Sequence, residues 1–151
     1  MCRNRALAGE EGQALVELSL SCSLLFLILL GAIEFARATF VAIEVENSAR
    51  AGAQYAAMNG GNESDTAGVT TAIQNDSFNL GGSVALDSGF PTQTNACSDG
   101  STYSATSYCN GATIFSTVSV KTKMTFSPLI GWPGLPTSFT FYGFAQEMVL
   151  Q

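Results

Sequence analysis

Between Leu18 and Ile33 the chain carries no charge, and Leu24-Leu25-Phe26-Leu27-Ile28-Leu29-Leu30 is unbroken apolar sequence. As a helix, about 16 residues rise roughly 24 Å, slightly short of a hydrocarbon core of about 30 Å. Including Ala14 to Val16 completes a workable span and places Glu17 inside it. A segment surrounded by lipid must satisfy its own backbone hydrogen bonds, so the expectation is one membrane-spanning helix over 13–33. Beyond it the pattern changes from apolar all round to one-sided. Phe35, Ala38, Ala42, Val45, Ala49, Ala53 and Ala56 recur at spacings of three and four, which predicts that the helix continues over 34–58 with one packing stripe. Glu34 with Arg37 and Glu46 with Arg50 stand at helical i,i+3 and i,i+4 spacing, each pair contributing a few tenths of a kcal/mol. Small residues in the stripe suit close approach of another helix, or of the chain's own C-terminal part. Asn59-Gly60-Gly61-Asn62 should end the helix in a left-handed turn.

Residues 59–151 then read as a small domain. Ser64 or Asp65 can cap a short helix from Thr66 to about Gln74, with Val69 and Ile73 one turn apart. Ser83 to Leu86 reads as a short strand. From Asp87 to Ala112 large apolar residues are scarce, and the stretch is expected to be a long loop that needs a staple. At Thr117 the period becomes two: Val118, Val120, Thr122, Met124 and Phe126 alternate with Ser119, Lys121, Lys123 and Thr125, a strand with one buried face. A connection punctuated by Pro128, Pro133 and Pro136 leads to a second strand over Phe139 to Phe144. The expected fold class is α+β: a long N-terminal helix, spanning and then extramembrane, packed on a small antiparallel sheet with a short second helix. Trp132 and the phenylalanines read as core or edge cover, with a ligand groove as the alternative.

Charge and cysteine usage narrow the function. Six Lys and Arg stand against twelve Asp and Glu, a net charge of −6. Removing residues 1–12 takes away two basic and two acidic residues and leaves that balance unchanged. An acidic domain without a basic cluster is not built for nucleic acid, which requires cations against phosphates. Of the four cysteines, Cys2 lies before the apolar run and Cys22 within it, the latter behaving as a small apolar residue. Cys97 and Cys109 lie within the polar stretch from Asp87 to Ala112. Two cysteines without a histidine are short of ligands for zinc, so a disulfide in an oxidising compartment is expected, with two free thiols as the alternative. No metal or other cofactor is expected.

Glu17 is the residue that the apolar run does not explain. A carboxylate one turn inside a span costs about 2.5–3.5 kcal/mol on insertion scales, and marks a candidate functional group; at headgroup depth it would instead face the positive end of the helix dipole. Gly12 stands five positions before it, after a short polar leader with Arg3 and Arg5. This Gly12-Gln13-Ala14-Leu15-Val16-Glu17 arrangement resembles the processing site of type IV pilin-like precursors. The resemblance implies cleavage between Gly12 and Gln13, with Glu17 as mature position five. Together with Gly31-Ala32-Ile33-Glu34-Phe35-Ala36-Arg37 and Asn47-Ser48-Ala49-Arg50-Ala51-Gly52-Ala53-Gln54-Tyr55-Ala56-Ala57, the first 58 residues or so resemble the TadE-like minor pilins of tight-adherence pilus systems. Leu18 departs from relatives that carry an aromatic residue after the Glu.

The resemblance implies a leader over 1–12 and anchorage in the inner membrane by a single pass. It also implies an extracytoplasmic C-terminal domain, incorporation into a pilus, and as partners a prepilin peptidase, other pilin-like subunits and the assembly platform. A secretory signal is the rival for the N-terminus, although the apolar core is longer than the usual 7–15 residues or so and lacks a clear small-x-small site. Enzymatic function is not expected. Without histidine, His-based acid–base and nucleophilic arrangements are excluded, and neither a P-loop nor a dinucleotide fingerprint is present. Glu63, Asp65 and Asp76 fall in cap and turn positions. The alternative from another class is an uncleaved bitopic binding module that uses the region around Trp132.

Overall fold

The computed structural model describes residues 10–81, 83–101, 103–104, 109, 111–131 and 134–149. Helix α1 spans Glu10–Ala57 and α2 spans Thr66–Asp76, followed by a single 3-10 turn at Phe78–Leu80. The strands are β1 (Ala85–Leu86), β2 (Thr92–Cys97), β3 (Ile114–Phe126) and β4 (Phe139–Met148). The architecture is α+β, as the sequence leads one to expect. The chain divides into two compact units, Met1–Arg37 and Ala38–Gln151.

In the first unit, residues 12–30 of α1 are exposed all round, including Leu24 to Leu29. α1 is the one helix among the described residues that is long and apolar enough to cross a membrane. Two of its serines are accommodated by the helix itself: Ser19 donates to the Val16 carbonyl at 2.8 Å and Ser23 to the Ser19 carbonyl at 2.9 Å. Such back-bonding would satisfy the hydroxyl donors in an environment without water.

In the second unit, β3 is the central strand. β4 pairs with one of its edges over Thr117 to Phe126. The other edge is shared by β2, against Ile114 to Ser119, and β1, against Thr122 and Lys123. All pairings are antiparallel. The period-two pattern has the physical consequence expected of it. Val118, Val120 and Thr122 are fully buried, and they meet the buried stripe Val41, Val45, Ala49, Ala53 and Ala56 of α1, with Val69 and Ile73 of α2 in the same cluster. The two helical segments therefore cover one face of the sheet, while Tyr142, Phe144 and Met148 on the opposite face remain open.

Close approach is enforced by missing side chains. A Cβ on Gly52 would lie 2.9 Å from Ile73 Cγ1 and 3.2 Å from Val120 Cγ1. One on Gly143 would overlap the Val45 carbonyl oxygen, which accepts from Thr122 Oγ1 at 2.8 Å and from Ser48 Oγ at 2.9 Å. The small-residue stripe over 41–57 is thus occupied by the chain's own sheet.

Four details differ from the sequence reading. Phe35 is 72% exposed and Ala42 only half-buried, so the buried stripe of the second unit begins at Val41. α1 ends without a left-handed glycine: Asn59 Oδ1 accepts from the backbone N–H of Gly61 and Asn62, and Asn62 Nδ2 donates to the Tyr55 carbonyl at 3.1 Å. The α2 helix runs to Asp76, two residues past the predicted end. The stretch from Asp87 to Ala112 holds β2, whose Thr-Gln-Thr-Asn-Ala-Cys sequence is almost wholly exposed. An edge strand with little to bury gives no hydrophobic alternation to detect.

Candidate processing and assembly site

Gly12, Gln13 and Glu17 all lie on α1 and are exposed. The peptide bond between Gly12 and Gln13 lies within α1, three residues into its described span of Glu10–Ala57. Five residues along a helix are separated by a rise of roughly 7.5 Å and by more than a third of a rotation, so Gly12 and Glu17 lie on different faces. Glu17 makes no side-chain hydrogen bond or ion pair among the described residues. No described residue compensates this carboxylate; Arg3 and Arg5 of the leader lie outside the described residues.

Farther along, the expected ion pairs form. Arg37 Nη1 donates to both oxygens of Glu34 at 3.1 Å, and Glu34 is 9% exposed. Arg50 reaches Glu46 at 3.4 Å. Glu46 also accepts from the backbone N–H of Phe144 at 3.2 Å, so one carboxylate ties helix to β4.

The cysteine pair is joined: Cys97 and Cys109 form a disulfide with Cα atoms 5.4 Å apart, closing a 12-residue separation at the end of β2. Both are buried. Cys22 is a free, exposed thiol, and Cys2 lies outside the described residues.

Of Glu63, Asp65 and Asp76, the latter two stand at opposite ends of α2. Asp65 caps α2, accepting from Gly68 N–H at 2.9 Å and from the Tyr55 hydroxyl at 2.8 Å. The Gly68 N–H and then the Tyr55 hydroxyl hold the Asp65 carboxyl below its ordinary pKa, and the same bond raises the Tyr55 phenol. Asp76 stands at the other end of α2, roughly 16 Å away at 1.5 Å per residue. No group of three metal-ligating side chains occurs among the described residues. Trp132 lies outside them, and its neighbours Leu129 and Leu135 are exposed.

One cluster was not singled out from sequence. Asp87 sits between two lysines, 3.2 Å from Lys121 Nζ and 2.9 Å from Lys123 Nζ. The hydrogen bond from Lys123 and then that from Lys121 lower the Asp87 pKa, and Lys123 is raised by the same contact. Lys121 also lies over the Tyr142 ring at 4.6 Å, and Phe90 meets Phe144 edge-on at 6.5 Å. The two lysines at i,i+2 on one strand were the available signal; Asp87, from before the polar loop, was not tied to them by any pattern.

The architecture is therefore that of a chain with one exposed apolar N-terminal helix and a small, disulfide-stapled α+β unit. Residues 12–54 match the family model described as TadE-like protein. That match begins at Gly12, contains Glu17 and the Gly31 to Arg37 motif, and extends through most of the Asn47 to Ala57 segment; it stops before α2 and the sheet. No curated protein and no solved structure matches the chain.

Proposed function

We propose that the chain is a membrane-anchored pseudopilin or minor pilin of a tight-adherence, type IV-like pilus, with a structural and not an enzymatic role. The observation that carries this reading is the position of Gly12 and Glu17 at the mouth of the apolar helix, inside the TadE-like match. In this reading a prepilin peptidase cuts after Gly12 and Gln13 supplies the new amino terminus. Residues 13–33 cross the inner membrane once, residues 34–58 continue the helix outside it, and residues 59–151 form the extracytoplasmic domain. Glu17, without a partner among the described residues, pairs with an amine or another polar group of a neighbouring subunit. The partners are the membrane, the peptidase, other pilin-like subunits and the assembly platform. The disulfide supports an oxidising, extracytoplasmic location for the second unit. Mass spectrometry of membrane-extracted protein tests the proposal: the amino terminus should be Gln13, and Gly12→Val should retain the leader. A terminus at Met1 in cells with an active prepilin peptidase would overturn it.

A further inference from the structure

We propose that the open face of the sheet receives the tip of α2 from a second copy of this chain, so that the extramembrane units join head to tail. Two independent features of the second unit point to each other.

The first is the tip. Phe78, just after α2, is 79% exposed, the most exposed large apolar side chain among the described residues. Two positions earlier, Asp76 is exposed in the last turn of α2, where no basic residue accompanies it. The helix dipole is negative at that end and disfavours a carboxylate. Asp76 forms no ion pair or side-chain hydrogen bond among the described residues, so its carboxylate stands open to a cation of another molecule.

The second is the receiving face. In the second unit the basic residues are Arg50, Lys121 and Lys123. Arg50 is matched by Glu46, whereas Lys121 and Lys123 share the single carboxylate of Asp87. Here alone in that unit cations outnumber their anion, in a chain of net charge −6. Each ammonium has three N–H donors, and Asp87 holds both in place without using them up. Beside them stand Tyr142 and Phe144, 58% and 51% exposed. A face with two fixed ammonium groups and two open rings fits a carboxylate next to an aromatic side chain, which is the chemistry of Asp76 and Phe78.

The two features cannot meet within one chain. Val69 and Ile73 pack α2 onto the α1 side of the sheet, while Tyr142 and Phe144 register with Lys123 and Lys121 on the opposite side. A contact between unlike surfaces of identical subunits is heterologous and propagates unless its rotation closes. It does not depend on cleavage after Gly12, so its failure leaves the processing proposal standing.

Sedimentation velocity of the full chain in detergent, over a concentration series, is the test. The native chain should associate progressively. Phe78→Ser and Tyr142→Ala should each weaken association tenfold or more, as truncation of an aromatic anchor does. Asp76→Lys should do the same, and the Asp76→Lys, Lys123→Asp double variant should recover much of it. Both truncated side chains are exposed, and an intact Cys97–Cys109 disulfide in peptide maps checks the fold of each variant. A native chain that stays monomeric, or association unchanged in both Phe78→Ser and Tyr142→Ala as expected if the apolar helices alone drive it, would overturn the proposal.

Discussion

Gly143→Ala is the sharpest probe of how the helix is seated on the sheet. By local propensity alone it should help, since glycine inside a strand is about 0.5–1 kcal/mol worse than alanine. The packing argues the other way. The new Cβ would overlap the Val45 carbonyl oxygen and lie 2.7 Å from Thr122 Oγ1 and 2.8 Å from the Val45 carbonyl carbon. These are helix backbone and a fully buried side chain, not the free end of a flexible group, so the helix or β4 must move. Overpacking of this kind costs about 1–3 kcal/mol. The same movement strains the 2.8 Å hydrogen bond from Thr122 to Val45, worth a further 0.5–1.5 kcal/mol or so. After the propensity gain, the expected net loss is about 0.5–4 kcal/mol. At roughly 2 kcal/mol per M of urea, the unfolding midpoint should fall by about 0.3–2 M. Pulse proteolysis of the full chain in detergent reads that midpoint for the second unit. Thr122→Val removes the hydrogen bond without the overlap and should show only the smaller part of the loss. Gly131→Ala, where a Cβ meets nothing within 4 Å, is the control and should stay within about 0.5 kcal/mol. A Gly143→Ala protein as stable as the native one, or more so, refutes the seating argument.

Cys97→Ser should lower stability by about 3 kcal/mol on the loop-entropy account of a 12-residue closure, read by the same assay; an unchanged midpoint removes the staple from the energetic picture. The folded-state pKa values of Asp65 and Asp87 are lowered, so both carboxylates contribute stability that is complete above the ordinary carboxylate value of about 4 and lost as pH falls through their lower folded values. Urea midpoints should therefore decline on acidification below about pH 4, and less steeply in Asp87→Asn, a comparison that an equal slope would contradict. Glu17→Gln should still insert and be cut after Gly12, yet lose crosslinking to pilus partners in cells; normal crosslinking and piliation would leave Glu17 without a pairing role.

The elements that sequence revealed are those whose burial imposes a period. β3 was legible because Val118, Val120 and Thr122 must face the core while Lys121 and Lys123 must not. α2 was legible from its Asp65 cap and the Val69–Ile73 repeat. β2 was not, because a strand paired on one edge and wet on both faces obeys backbone hydrogen bonding alone, and that leaves no mark on side-chain order. The end of α1 was placed correctly near Asn59 but for a different reason, since the asparagine side chain and not a left-handed glycine satisfies the chain there. The Asp87 cluster was hidden because it joins a residue after β1 to two on β3, and only strand register brings them together.

Glu17 and Glu46 show how one helix poses the same question in two solvents. Both carboxylates lie on α1, and neither is a core residue. Glu46 is answered within its unit: Arg50 supplies a cation and Phe144 an amide N–H. Water also screens that pair, so its loss would be modest. Glu17 has no such answer among the described residues, and in the proposed setting lipid provides neither screening nor donors. Glu17 lies in the stretch that matches the TadE-like family model. In the proposed reading its partner comes from the assembly, and cleavage after Gly12 would generate a new ammonium on each copy. That ammonium stands roughly 6 Å along the axis from the Glu17 backbone in its own helix, at 1.5 Å per residue, a gap that a glutamate side chain leaning toward the helix N-terminus can largely span. A neighbouring helix shifted by one turn can also bring the two into contact. The Glu17→Gln crosslinking comparison separates the two arrangements, because only the pair between subunits predicts lost crosslinking.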